Sequence, residues 1–231
     1  MIMKNFDMKQ QGCCSVTKQD NFGLNTINEQ LIDTVGYIHN EALLYLSEND
    51  KFPNINIKEL YLLVANFVSN EMRNINSYYT GISIKDVEEI IKKYHQKPEK
   101  AIEDLTFEGK LTDFSKEFIY KIIEESEKIK FPQYVSIELT GLKNIILLNS
   151  KLTNHEKTLL LGAATIGIYS NSFWSYQSNN PNSPWKRVSG GVVERDIVGF
   201  ITGCYACMPG GPAGCVFCGL IGAIVSSFLE K

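Results

Sequence analysis

Apolar residues recur every three or four positions along most of the chain, which is the spacing of one face of an α-helix. Polar residues at Thr26, Asn56, Ser83 and Thr153 each precede an acidic residue by three positions, as at the start of a helix. Pro98 suits the first turn of another helix. No segment alternates apolar and polar residues as a half-buried strand does. The pattern predicts an all-α fold with helices at about 26–47, 56–78, 83–94, 98–105, 113–130, 133–150 and 157–176.

Composition divides the 231 residues into four segments. Residues 1–24 are polar and irregular, and we expect a disordered leader there. Residues 25–176 form the predicted helical bundle, the body. Residues 177–191 contain two Pro, paired Asn and paired Gly, which is typical of a linker. Residues 192–231 form an apolar tail rich in Gly and Cys.

The tail has no charge from Ile197 to Leu229, and these 33 residues hold 7 of the 17 Gly and 4 of the 6 Cys. Small residues recur there every four positions, with large apolar residues between them. Pro and Gly at 209–212 break the run. We therefore predict a helical hairpin with arms at 197–208 and 214–230, packed through a small-residue face. That face includes Gly199, Gly203, Gly219 and Gly222.

The predicted arms are about 18 Å and 25 Å long, shorter than the roughly 30 Å core of a bilayer. Shallow insertion, or spanning as an oligomer, would suit them better than an ordinary membrane anchor. The alternative is a core hairpin covered by the body, since a buried helix is apolar on all sides.

Four cysteines, Cys204, Cys207, Cys215 and Cys218, form two CxxC motifs separated by seven residues. Paired CxxC motifs are typical of zinc sites, although this spacing is short and the surroundings lack basic residues. A hairpin stapled by nested disulfides, Cys207 with Cys215 and Cys204 with Cys218, is a second interpretation and requires an oxidising compartment. Buried reduced thiols are a third.

Val35–Tyr45 contains the pattern G-x-x-HNE-x-L-x-Y, and Ala163–Ser175 contains S-x-x-F-W on a later helix. Both segments resemble those of a group of uncharacterised Bacteroidota proteins. Asp196 before the apolar tail matches a third feature of that group. The tail is locally similar to halocin C8-like bacteriocins in T-G-C-x-A-C and C-G-L-[IL]-G, at 202–207 and 218–222. The resemblance to the Bacteroidota group implies no activity.

Charge and motifs narrow the function classes. A net charge of −3 argues against a nucleic-acid partner. No P-loop, HExxH, GxSxG or dinucleotide motif is present, so we do not expect an enzyme. His39, Asn40 and Glu41 are interpreted as a polar trio on a helix, with His39 bonding a neighbouring helix end or loop. His95 and His155 are expected to be solvated, and Trp174 and Trp185 to be packing anchors.

Residues 1–9 contain charges and no apolar run, which predicts cytoplasmic synthesis without a signal peptide. Gly190 and Gly191 precede the tail directly and form a candidate double-glycine processing site, which would lead to export or membrane association. The leading hypothesis is a bacteriocin-like or toxin-like protein whose tail, a membrane-active Gly-zipper hairpin, is held by the helical body and acts on a membrane or a membrane-embedded target. The tail is also a candidate for self-association. The competing hypothesis is a cytosolic interaction module or a zinc-binding module that uses the four tail cysteines, and zinc is the one candidate cofactor.

Overall fold

The computed structural model describes residues 29–49, 52, 54–73, 97–128, 131–185, 191–207 and 211–228. Within these ranges the chain is all-α, as predicted, with eight helices and no strand. The helices are α1 Glu29–Ser47, α2 Ile57–Glu71, α3 Pro98–Phe107, α4 Asp113–Lys128, α5 Pro132–Leu148, α6 Asn154–Asn179, α7 Val192–Ala206 and α8 Gly211–Phe228.

Helix starts follow local signals in the sequence. The Asn56 side chain accepts a hydrogen bond from the Glu59 amide at 3.0 Å and caps α2. Thr153 and Glu156 form the reciprocal capping box of α6. Pro98 begins α3, where its missing N–H costs nothing. The predicted caps at Thr26 and Ser83, the predicted helix at 83–94 and the leader at 1–24 lie outside the described residues.

The tail forms the centre of the molecule. Helices α7 and α8 pack along each other as a hairpin, which confirms that prediction. Helices α3 and α4 lie against α7, whereas α1 and α2 lie against α8. Helix α6 contacts both members of the pair, and α5 packs outside α6 and α4. One hydrophobic core therefore contains both body and tail residues, as the interpretation of a covered core hairpin requires.

Several boundaries differ from the sequence prediction: α2 ends at Glu71 rather than near 78, α8 begins at Gly211 rather than at 214, and two further differences concern the start of α7 and the end of α6. Helix α7 begins at Val192 rather than at 197, because Gly191 takes a left-handed conformation (φ 85°) and turns the chain directly into the helix. The charged residues before Ile197 are therefore helical. Helix α6 continues to Asn179, three residues beyond the predicted end, so the predicted linker begins in helical backbone.

Candidate functional site

The contact between α7 and α8 is made by backbone. Gly199 lies against the carbonyl group of Gly222, and Gly203 lies against the carbonyl group of Cys218. A Cβ atom at Gly199, Gly203 or Gly222 would overlap the opposite main chain. These three glycines therefore set the separation of the two helices, and any side chain would force them apart.

Gly219, the fourth small residue of the predicted face, has a different neighbour. The ring of Phe200 occupies the space where its Cβ would be, and the same ring occupies that space at Gly162 on α6. Phe200 is fully buried. Its ring, carried by α7, thus packs into two positions that only glycine can supply, one on α8 and one on α6 of the body.

Two disulfides cross-link the pair, Cys204–Cys215 and Cys207–Cys218. The nested pairing expected from the sequence, Cys207 with Cys215 and Cys204 with Cys218, is wrong. Backbone occupies the point where the helices touch, at Gly203 and Cys218. Each cysteine of α7 consequently pairs with a cysteine that is offset along α8, and not with the one expected directly opposite across the contact. Both bonds close the chain over a sequence separation of 11 residues.

A zinc site would need the same four sulfur atoms as thiolates, and a sulfur atom within a disulfide is not a thiolate. No other group of three or more potential ligands is found in the part of the chain that the structure describes. The four cysteines thus serve as cross-links between α7 and α8 in this structure.

Asp196, in the first turns of α7, is a carboxylate with no exposure to solvent. Its Oδ2 accepts from Ser170 Oγ at 2.6 Å and from Trp174 Nε1 at 3.0 Å, both on α6. Its Oδ1 accepts a short hydrogen bond from Ser227 Oγ on α8. Burying a carboxylate is unfavourable unless its oxygen atoms are paired, and here three donors meet it.

His39 on α1 approaches the same carboxylate. Its Nε2 lies 3.5 Å from Asp196 Oδ2 and 3.4 Å from Ser227 Oγ. Its Nδ1 lies 3.0 Å from Asn40 Oδ1, and the Asn40 amide nitrogen donates to the carbonyl oxygen of Tyr169 at 3.1 Å. Because a carbonyl only accepts, this bond fixes the Asn40 amide, and its oxygen must accept from Nδ1.

The arrangement is unlike that of a Ser-His-Asp triad. In a triad, the carboxylate and the hydroxyl group bind opposite nitrogen atoms of the imidazole, whereas here both face His39 Nε2. Ser227 also donates to Asp196 rather than to His39. All three side chains are buried. We refer to Asp196, His39, Ser170, Trp174 and Ser227 as the carboxylate cluster; it joins α1, α6, α7 and α8.

Most of this cluster does not follow from the sequence pattern. The sequence predicts that His39 bonds a neighbouring helix end or loop; in the structure its Nε2 faces the Asp196 side chain in the first turns of α7. Asp196 matches a feature of the Bacteroidota group, and no pattern in the sequence marks Ser227 as its partner. The available signal was the carboxylate itself, which is flanked by apolar residues at Val193 and Ile197.

An aromatic cluster covers the end of α8. Trp185 packs edge-on against Trp174, Phe52 and Phe228, with ring centroids 5.3, 4.8 and 6.0 Å away. Trp174 and Trp185 are both buried, so they lie in the core as packing residues. Trp185 comes from the predicted linker, which therefore contributes to the core immediately before residues 186–190, the part of the linker outside the described residues.

His155 differs from the expectation of a solvated side chain. It is partly buried, and its Nε2 has no hydrogen-bond partner among the described residues. Burial lowers the pKa of His155, and the charge of Glu156 offsets this only in part. Its ring lies 6.2 Å from that of Tyr205 near the end of α7. His95 lies outside the described residues.

Helix α8 is the one helix in the described ranges that is long and apolar enough to cross a membrane, and 78% of that stretch is buried inside the protein. Gly191 caps α7, and Gly190 lies outside the described residues.

No family model matches the chain, and comparisons with curated proteins and with solved structures found no match. The site is thus a cross-linked apolar helix pair held in a helical body by buried polar groups.

Proposed function

We propose that the protein stores a membrane-active helical pair, α7–α8, and that the helical body keeps this pair from membranes until it is released. The observation that carries the proposal is the enclosure of α8. A helix with the length and composition of a membrane segment is packed against α1, α2, α6 and α7. This is the arrangement that a latent form of a toxin-like protein would need.

Cross-linking supports release of α7 and α8 as one unit. The two disulfides and the glycine contact join these helices to each other and not to the body. Outside the pair, the contacts are apolar packing and the carboxylate cluster, which are non-covalent. Cleavage before α7 would thus leave the pair intact and held only by non-covalent contacts.

The released pair would present large apolar side chains. Phe200, Ile201, Leu220, Ile221 and Ile224 are fully buried in the stored form. Transfer of such side chains from water to an apolar phase is favourable by about 1.5–3 kcal/mol each. A lipid surface could replace the body as the apolar environment for these residues.

Helix lengths indicate how the pair would meet a bilayer. α7 has 15 residues and α8 has 18, or about 22 Å and 27 Å, both less than the roughly 30 Å hydrocarbon core. Asp196 near the start of α7 would be costly at the centre of that core. We therefore propose shallow insertion, with Asp196 at the membrane surface.

The proposed release point lies between Trp185 and Gly191, which includes the double glycine at 190–191. Residues on either side of it are buried: Trp185 in the aromatic cluster, Val192 and Val193 at the start of α7. Export and processing at this point would deliver the pair to a membrane or to a target within one.

The test places a site-specific protease sequence between Trp185 and Gly191 and measures dye release from anionic phospholipid vesicles. The uncut protein should be inactive, and the cut protein should permeabilise the vesicles. A matched control places the same sequence at Ser150, between α5 and α6, where cutting does not free α7 from its neighbours in the chain. Equal leakage before and after cutting would contradict storage. No leakage by the cut protein, or by synthetic 192–231, would contradict membrane activity.

A further inference from the structure

The outer helix α5 is apolar on two faces. Val135, Leu139, Leu142 and Ile146 are buried in the core. A second row, consisting of Tyr134, Ile137, Ile145 and Leu148, is 53, 65, 53 and 86% exposed. The outward face of a surface helix is normally polar. This row, which we call the α5 stripe, is therefore an apolar surface that no described residue covers.

The α5 stripe is symmetric about Gly141. Ile137 and Ile145 lie four residues before and after it, and Tyr134 and Leu148 lie seven residues before and after it. At about 100° per residue, all five positions fall within a sector of about 80° on the helix. A two-fold axis through Gly141 would therefore bring each apolar residue of one copy against an apolar residue of a second copy.

Gly141 has no packing role among the described residues. A Cβ built there would meet none of their atoms within 4 Å, unlike those at the glycines between α7 and α8. Glycine within a helix costs about 1 kcal/mol relative to alanine. Glycine is favourable where two helices cross, because the lack of a side chain lets the second backbone approach closely.

The polar residues beside the stripe, of which only Glu138 is charged, also suit a second copy. Glu138 and Asn144 lie three residues on either side of Gly141, and Gln133 and Asn149 lie eight residues on either side. In an antiparallel pair Glu138 would face Asn144 of the second copy, and Gln133 would face Asn149 of the second copy. Each pairing avoids like charges, which would oppose association.

We propose that α5 forms a homodimer interface in which two copies pack antiparallel and cross at Gly141. Ile137 of each copy contacts Ile145 of the other, and Tyr134 contacts Leu148 of the other. The contact is built on one helix of 17 residues, about 25 Å long, so the dimer is small in area, reversible and dependent on concentration. This proposal is independent of the proposed release of α7–α8.

Sedimentation equilibrium over a concentration series tests association. The wild-type chain should show a monomer–dimer equilibrium, and Ile137→Lys should raise the dissociation constant at least tenfold. Phe107→Lys is the matched control, because Phe107 is 94% exposed but lies on α3, and it should leave the constant unchanged. A monomer at every concentration, or a dimer that Ile137→Lys leaves intact, would overturn the proposal.

Disulfide trapping tests orientation and register without disturbing the stripe's large residues. In a Cys13→Ser, Cys14→Ser background, Gly141→Cys should form a covalent dimer on oxidation, since the two copies meet there. Gln133→Cys should not, because its two copies would be about 24 Å apart along an antiparallel pair. Trapping at 133, or at neither position, would refute this geometry. Far-ultraviolet circular dichroism of each variant should match that of the wild type.

Discussion

His39 on α1 and Asp196 on α7 face each other in the core, with Nε2 3.5 Å from Oδ2 and neither side chain exposed to solvent. Asp33 and Lys143 form an ion pair between α1 and α5, with 2.7 Å between Nζ and Oδ1, but Asp33 is 69% exposed. A buried carboxylate and an exposed one can therefore be compared within the same chain.

Asp196→Ala should destabilise the fold strongly. It leaves the Ser170 hydroxyl group and the Trp174 indole N–H without their acceptor in the core, and each buried donor left unsatisfied costs about 1–3 kcal/mol. Asp33→Ala should cost less than about 1 kcal/mol, because an exposed pair is screened by water. Urea unfolding of both variants measures the difference. Equal losses would show that the carboxylate cluster contributes no more than a surface pair.

Gly203→Ala should lower stability and separate α7 from α8, because the new methyl group would overlap the Cys218 carbonyl oxygen. Gly141→Ala enters open space and should raise monomer stability by up to about 1 kcal/mol. Thermal unfolding at a concentration that keeps the chain monomeric should shift the two variants in opposite directions. Equal shifts would contradict a backbone contact at Gly203.

Peptide mapping should recover the two diagonal disulfides. Cyanogen bromide cuts after Met208, and chymotrypsin cuts after Tyr205 and Phe217, so each cysteine falls on its own fragment. The structure predicts that the fragment with Cys204 is joined to that with Cys215, and the fragment with Cys207 to that with Cys218. Joining of the Cys204 and Cys218 fragments would instead support the nested pairing.

Acid should weaken the fold through His155. Since burial lowers the pKa of His155 in the folded chain, the unfolded chain binds this proton more readily, starting near the ordinary value of 6.5. Stability is therefore lost as pH falls below about 6.5. His155→Gln should remove this component. The free energy of unfolding of the variant, relative to that of the wild type, should therefore increase as the pH falls from about 7.5 to 5.5. The same difference in unfolding free energy between variant and wild type at both pH values would show that His155 does not cause the acid sensitivity.

Periodicity and capping residues were sufficient to predict the all-α fold and several helix starts, because both are properties of neighbours in sequence. The Thr153 capping box and Pro98 are clear cases. The hairpin was predictable for the same reason, since residue size repeats along the tail. The sequence did not decide whether the hairpin lies in the core or inserts into a membrane. A core helix and a membrane segment are both apolar on all sides, so composition does not distinguish them.

The diagonal disulfides and the carboxylate cluster were beyond sequence reasoning for a different reason. Pairing of Cys204 with Cys215 depends on which backbone atoms touch at Gly203. The cluster joins His39 to Asp196 across 157 positions of the chain, and no local pattern relates them. The absence of charge after Ile197 also suggested that the helix begins there, whereas Asp196 is already inside it.

The order of the helices along the chain has a consequence for synthesis. Helix α8 fills the space among α1, α2, α6 and α7, yet all four leave the ribosome before it. Until α8 emerges, the faces of α1, α2 and α6 that will cover it have no partner and remain open to water. The central helix of the core is therefore the last to be synthesised. A nascent chain that stops before residue 211 should depend on chaperones to stay soluble.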